Sequence, residues 1–182
     1  ASTTVTITEA TPLLASVNIT SDFNGQDISC NGATDGSAQV TASGGTPGYT
    51  YLWTNGSTTT VATGLAAGSY FVTVTDANGC QITASVTLTE PTALTAQISG
   101  VSNPSCNGSA TGSATASPAG GTPGYAYNWS NGETTSTISG LVAGTYTVTV
   151  SDTNGCSVVL SVTITQPVVL EIPLSNSIVT DV

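Results

Sequence analysis

The sequence predicts an all-β protein, and three observations predict it. Apolar and polar residues alternate along short runs, turn dipeptides recur between those runs, and no segment carries helical periodicity. Self-similarity then sets the scale. Cys30 and Cys106, Trp53 and Trp129, Tyr70 and Tyr146, and Cys80 and Cys156 are each 76 positions apart, and residues 29–91 match residues 105–167 at 36 of 63 ungapped positions. One module is written twice.

Within the first copy, strands are predicted near Leu13–Ile19, Ser37–Ser43, Tyr49–Trp53 and Val61–Thr63. Two longer runs follow. Tyr70, Val72 and Val74 share one face, as do Ile82, Ala84, Val86 and Leu88, while Thr73, Thr75, Thr83, Ser85 and Thr87 point the other way. The linking DANGC contains Asn-Gly, the signal for a two-residue type I′ hairpin turn. The second copy repeats this with Tyr146, Val148 and Val150, then DTNGC, then Val158, Leu160, Val162 and Ile164. About seven short strands in roughly 76 residues point to a β-sandwich of immunoglobulin-like type, with Trp53 and Trp129 in the core position of the third strand. The flanks VTITEATPLL, VTLTEPTAL and VTITQPVVL resemble one another. Four segments follow: 1–11 as the last strand of a preceding module, 12–91 and 92–167 as two sandwich repeats, and 168–182 as the first strand of a following module. The alternative is that each end completes a neighbouring subunit by strand addition in a filament.

Composition excludes whole classes of function. The chain has ten acidic residues and no Lys, Arg or His, a formal charge of −10. Binding nucleic acid or anionic lipid relies on cationic side chains, and here the sign is reversed. No apolar run approaches the roughly 20 residues that span a bilayer, so direct membrane insertion is not expected. Acid–base and nucleophilic catalysis draw mainly on His, Lys and paired carboxylates. The acids are sparse, and Asp35, Glu90 and Glu133 are answered by Thr111, Gln166 and Ser57 in the other copy, which argues against an enzyme.

Four cysteines permit three pairings. The same 50-residue interval occurs in both copies, so the economical choice is Cys30–Cys80 and Cys106–Cys156, one disulfide inside each module. Each would contribute on the order of 4 kcal/mol in the chain-entropy account. Zinc is disfavoured, because closely spaced ligand pairs and His are both lacking. Disulfides imply an oxidising, extracellular setting.

The order SCNG, GGTPGYTYLWTNG, GLAAGSYFVTVTDANGC and VTLTEP, repeated as SCNG, GGTPGYAYNWSNG, GLVAGTYTVTVSDTNGC and VTITQP, resembles the SprB repeat. That family occurs in tandem in very large cell-surface adhesins of gliding Bacteroidetes. The resemblance implies a secreted protein at the outer-membrane surface, exported by the type IX pathway, with neighbouring repeats as its partners and adhesion or gliding as its role. A weaker likeness of GYTYLWTNG and GSYFVTVTD to polycystic-kidney-disease domains implies the same sandwich class.

Two readings remain open. In one the modules are a repetitive stalk. In the other each holds surface polysaccharide or calcium on its loops. The aromatic strand Tyr49, Tyr51 and Trp53 is the candidate sugar platform unless Trp53 is core. The calcium candidate is SDFNGQD, where Asp22, Asn24 and Asp27 place oxygens around a Gly, in a five-residue insertion that 99–105 lacks. The rival explanation of those residues is an Asx-rich turn.

Overall fold

The computed structural model describes residues 3–5 and 9–169. Those residues form β-strands and no helix. The first repeat holds β1 (Leu14–Ile19), β2 (Gly36–Ser43), β3 (Thr50–Trp53), β4 (Val61–Leu65), β5 (Gly68–Thr75) and β6 (Gln81–Leu88). The second holds β7 (Thr95–Ser102), β8 (Gly112–Ala119), β9 (Ala126–Trp129), β10 (Thr137–Leu141), β11 (Gly144–Ser151) and β12 (Ser157–Ile164). The strand residues expected at 6–8 and 170–182 lie outside the described residues.

Each repeat builds two three-stranded sheets, β1-β2-β4 with β3-β5-β6, and β7-β8-β10 with β9-β11-β12. The pairs β1/β2, β2/β4, β3/β5 and β5/β6 are antiparallel. In immunoglobulin lettering these sheets are A-B-E and C-F-G. Strand D is the one that the expected count of about seven includes and the described residues do not form. Residues 54–60 turn back at once, with Gly56 N–H donating to the Trp53 carbonyl and Trp53 N–H to that of Ser57, both at 2.9 Å.

Alternation fills the interior as expected. In the first repeat Val40, Trp53, Ala62, Leu65, Val72, Val74 and Leu88 are buried in one cluster closed by Ile28. Trp53 and Trp129 are each 2% exposed, and their indole N–H groups donate to the Thr59 and Thr135 carbonyls at 2.9 Å. Both are core, so the sugar platform loses its Trp. On the outer faces hydroxyls pair across strands, as in Ser69 with Thr87 and Thr115 with Thr137. These pairs supply polar surface that charged residues would otherwise provide.

The hairpins differ from expectation. Asn78 and Asn154 keep negative φ, and only Gly79 and Gly155 are left-handed, at 83° and 85°. Asp76 N–H donates to the Cys80 carbonyl, and Gly79 N–H to that of Asp76. This is a three-residue loop, a type I turn followed by a left-handed Gly, in place of a type I′ turn. The Asp76 carboxylate decides it. Its Oδ1 accepts from Asn78 and Cys80 N–H at 2.9 and 2.8 Å and holds Asn78 in the turn.

The cysteine pairing is the main correction. Cys30 is bonded to Cys156, with Cα atoms 5.8 Å apart, and Cys80 and Cys106 are free and exposed. The predicted Cys30–Cys80 and Cys106–Cys156 bonds are not formed. The reason is the length of β6. Cys80 immediately precedes that eight-residue strand, whereas the loop of Cys30 is bound to Glu90 and Pro91 just beyond its far end. Roughly 25 Å separates the two ends of such a strand, and a disulfide tolerates about 7 Å between Cα atoms.

By compactness the chain divides into two units. The first takes the first repeat together with Ala119–Tyr125 and Ser151–Ser157, and the second takes the remainder of the second repeat. Both bonded cysteines therefore lie in the first unit, although they belong to different sequence repeats.

Candidate functional site: the cysteine-bearing loops

Two loop types carry the four cysteines. The first is SCNG. In its first copy the Asn31 side-chain amide donates to Glu90 Oε1 and the Pro91 carbonyl at 2.9 and 3.2 Å, and Gly32 N–H donates to Glu90 Oε2 at 2.6 Å. Ser29 donates through N–H and hydroxyl to Asp35, and the hydroxyl bond holds that carboxyl below the usual range. In the second copy Asn107 donates to the Pro167 carbonyl at 3.0 Å, and Gly108 N–H to Gln166 Oε1 at 2.8 Å. The recurring SCNG and Glu/Gln-Pro motifs thus explain each other. The second anchors the first and sets its cysteine at the loop surface.

The second loop type is the DxNGC hairpin. The Asp152 carboxylate is 5% exposed and accepts from Thr122, Asn154 and Cys156 N–H at 2.8, 3.0 and 2.9 Å. Asp76 does the same with Thr46, Asn78 and Cys80. A buried carboxylate without a cation is satisfied here by backbone amides. The GGTPG loop is the third wall. Gly44 and Gly120 have φ of 72° and 73°, and a Cβ on either would stand 1.9 or 2.1 Å from the carbonyl of Pro12 or Ala93. The paired glycines let that loop lie against the segment entering the first strand of each repeat.

At the Cys30–Cys156 bond the two loop types meet. The Asn154 side-chain N–H2 faces the carbonyls of Phe23 and Ser29, each at 3.1 Å, and the Thr122 hydroxyl at 3.0 Å. Its Oδ1 accepts from Asn24 Nδ2 at 2.6 Å. The insertion that suggested calcium is therefore part of this contact. Asp22 accepts from Gly25 N–H at 2.8 Å as an Asx turn. Asp27 accepts from Thr89 N–H and hydroxyl at 2.8 and 2.7 Å, a place that Asn103 takes for Thr165 in the second repeat. The three candidates hold three separate partners. Among the described residues no group of three or more His, Cys, Asp or Glu side chains is gathered to hold a metal.

The family profile for the SprB repeat matches residues 23–58 and again 98–134, covering SCNG, GGTPGY and the aromatic strand each time. Each of these two stretches is similar to the SprB repeat. No curated protein matches its sequence. Among solved structures, the amphioxus IgVJ-C2 molecule is similar at 17% identity and TM-score 0.33, over 66% of this chain and 90% of that one. The N-terminal eight Ig domains of Down Syndrome Cell Adhesion Molecule align at 9% identity and TM-score 0.39, over 86% of this chain and 25% of that one. Murine CEACAM1b aligns at 13% identity and TM-score 0.30, over 85% and 100%. The sandwich assignment rests on the strand order above and not on these likenesses. What was not visible beforehand in the two repeats is their cysteine pairing. Equal spacing in two copies fits any pairing displaced by a whole repeat, and the anchoring of SCNG at the Glu-Pro end, which separates Cys30 from Cys80, is seen only in the structure.

Proposed function

We propose that this chain is a non-catalytic stretch of a large secreted cell-surface adhesin or fibre, in which SprB repeats form a stalk for adhesion or gliding. The observation that supports it is the Cys30–Cys156 bond, which ties one repeat to the next. A covalent tie between consecutive repeats keeps the chain between its two cysteines from extending under tension. The oxidising setting such a bond needs fits display outside the cell.

Two measurements test the reading. Antibodies against the repeats should label intact cells of the producing bacterium, and deleting the repeats should lower attachment to a surface; labelling only after permeabilisation would count against display. In single-molecule pulling from the two ends, the oxidised chain should extend less than the reduced one by the 126-residue separation bridged by the bond, about 450 Å. Equal lengths would remove the mechanical role.

A further inference from the structure

We infer that Cys80 and Cys106 are the two complementary halves of the Cys30–Cys156 joint, each made to take the opposite half from another copy of this repeat. The bond formed in this chain unites an SCNG cysteine with a DxNGC cysteine of the next repeat. Cys106 is an SCNG cysteine, Cys80 is a DxNGC cysteine, and both are exposed and unbonded. The inference deepens the stalk reading and rests on it. Purified chain tests the joint and intact cells test the display, so either can fail alone.

Each free half is already built. Around Cys80, Asp76 accepts from the same three amide positions as Asp152, and Asn78 stands where Asn154 does, donating to the Thr46 hydroxyl at 2.7 Å as Asn154 does to Thr122. An open concavity lies beside Cys80, lined by Leu13, Gly45, Thr46, Asp76 and Asn78. At the formed joint Leu94 lines the corresponding concavity with Cys30, Asn31 and Cys156. On the other side, Cys106 is presented by Asn107 and Gly108 bound to Pro167 and Gln166, as Cys30 is by Asn31 and Gly32. The carbonyl of Ser105 replaces that of Ser29 as the acceptor for Asn78. The second repeat lacks the insertion that supplies the Phe23 carbonyl and Asn24, so this joint has fewer polar contacts and depends more on its sulfur bond.

The chemistry is two thiol–disulfide exchanges with a low-molecular-weight disulfide as oxidant. The Cys106 thiolate attacks one sulfur of oxidised glutathione and expels a glutathione thiolate. The Cys80 thiolate of another copy attacks the Cys106 sulfur of that mixed disulfide and expels the second. Two protein thiols are oxidised and one small disulfide is reduced to two thiols, the two protons lost by the protein thiols ending on the two expelled glutathione thiolates with none released net.

The test uses the full chain in a glutathione redox buffer, with peptic digestion because no Lys or Arg is present for trypsin. Chains carrying heavy nitrogen are mixed with light ones, and the expected product is a Cys80–Cys106 linkage between a heavy and a light chain, as an open ladder or a closed ring. Cys80→Ser and Cys106→Ser variants, one of them heavy, are then mixed. The heterodimer should exceed the two homodimers together by about tenfold, against one to one for random pairing. Random pairing, closure of Cys80 on Cys106 of the same chain, or no linkage under conditions that close Cys30–Cys156 would each overturn the inference.

Discussion

Asp76 shows how a chain without cations keeps a buried carboxylate. The Thr46 amide first, then those of Cys80 and Asn78, hold its pKa below the ordinary 3.8. A depressed folded value means the stabilisation is complete above the unfolded pKa and is lost as pH falls through the folded one. The melting temperature should therefore stay level from pH 7 to about 5 and drop below about 4. Asp76→Asn should melt lower at neutral pH, because its amide would turn a donor toward a donor, and should show a shallower acid limb. An unchanged limb in the variant would place the acid sensitivity elsewhere. Trp53 is the other informative side chain. Trp53→Ala should cost about 3–5 kcal/mol in urea unfolding, and Trp53→Phe about 1–3, since the Thr59 carbonyl loses its donor. A glycan-binding role for this Trp would instead predict lost binding with unchanged stability.

At the level of strands and loops, Asn154 is the side chain on which the joint turns, so Asn154→Ala should leave a larger fraction of molecules with four titratable thiols in place of two. A thiol count that stays at two would show that the loops meet without it. Gly44→Ala should cost more than the ~1–2 kcal/mol of a left-handed φ alone, because the added Cβ would also strike the Pro12 carbonyl. Most strands were legible in the sequence, since one buried face imposes a period of two on β5, β6, β11 and β12. The hairpin type was not, because Asn-Gly suits two turns and the Asp76 carboxylate chooses between them. Nor was the role of Asp22, Asn24 and Asp27. Oxygen spacing alone does not tell a cation site from a turn, a contact to Asn154 and a cap on Thr89. The cysteine partners were hidden by the repetition itself, since intervals of 50 and 126 residues satisfy the same 76-residue period.

For the molecule as a whole, charge and cross-linking act together. With a net charge of −10 and no cation, any two copies repel. Linking of purified chains through Cys80 and Cys106 should speed up as salt rises from 0.01 M, where screening reaches about 30 Å, to 0.15 M, where it falls to about 8 Å. A rate indifferent to salt would mean that the joint forms without the faces approaching closely. Reducing Cys30–Cys156 removes a loop constraint on the order of 5 kcal/mol, so the first compact unit should lose more stability to reductant than the second. Hydrogen exchange read separately over each unit checks this, and equal losses would mean that they unfold as one.

The same bond has a consequence for survival in a hostile medium. Cleavage of any one peptide bond between Cys30 and Cys156 leaves two fragments that are still a single molecule. A lightly chymotrypsin-nicked sample should migrate at full size until a reducing agent is added. Within that span a predator's or competitor's protease would therefore need two cuts on the chain before any piece could be released, while outside it a single cut suffices.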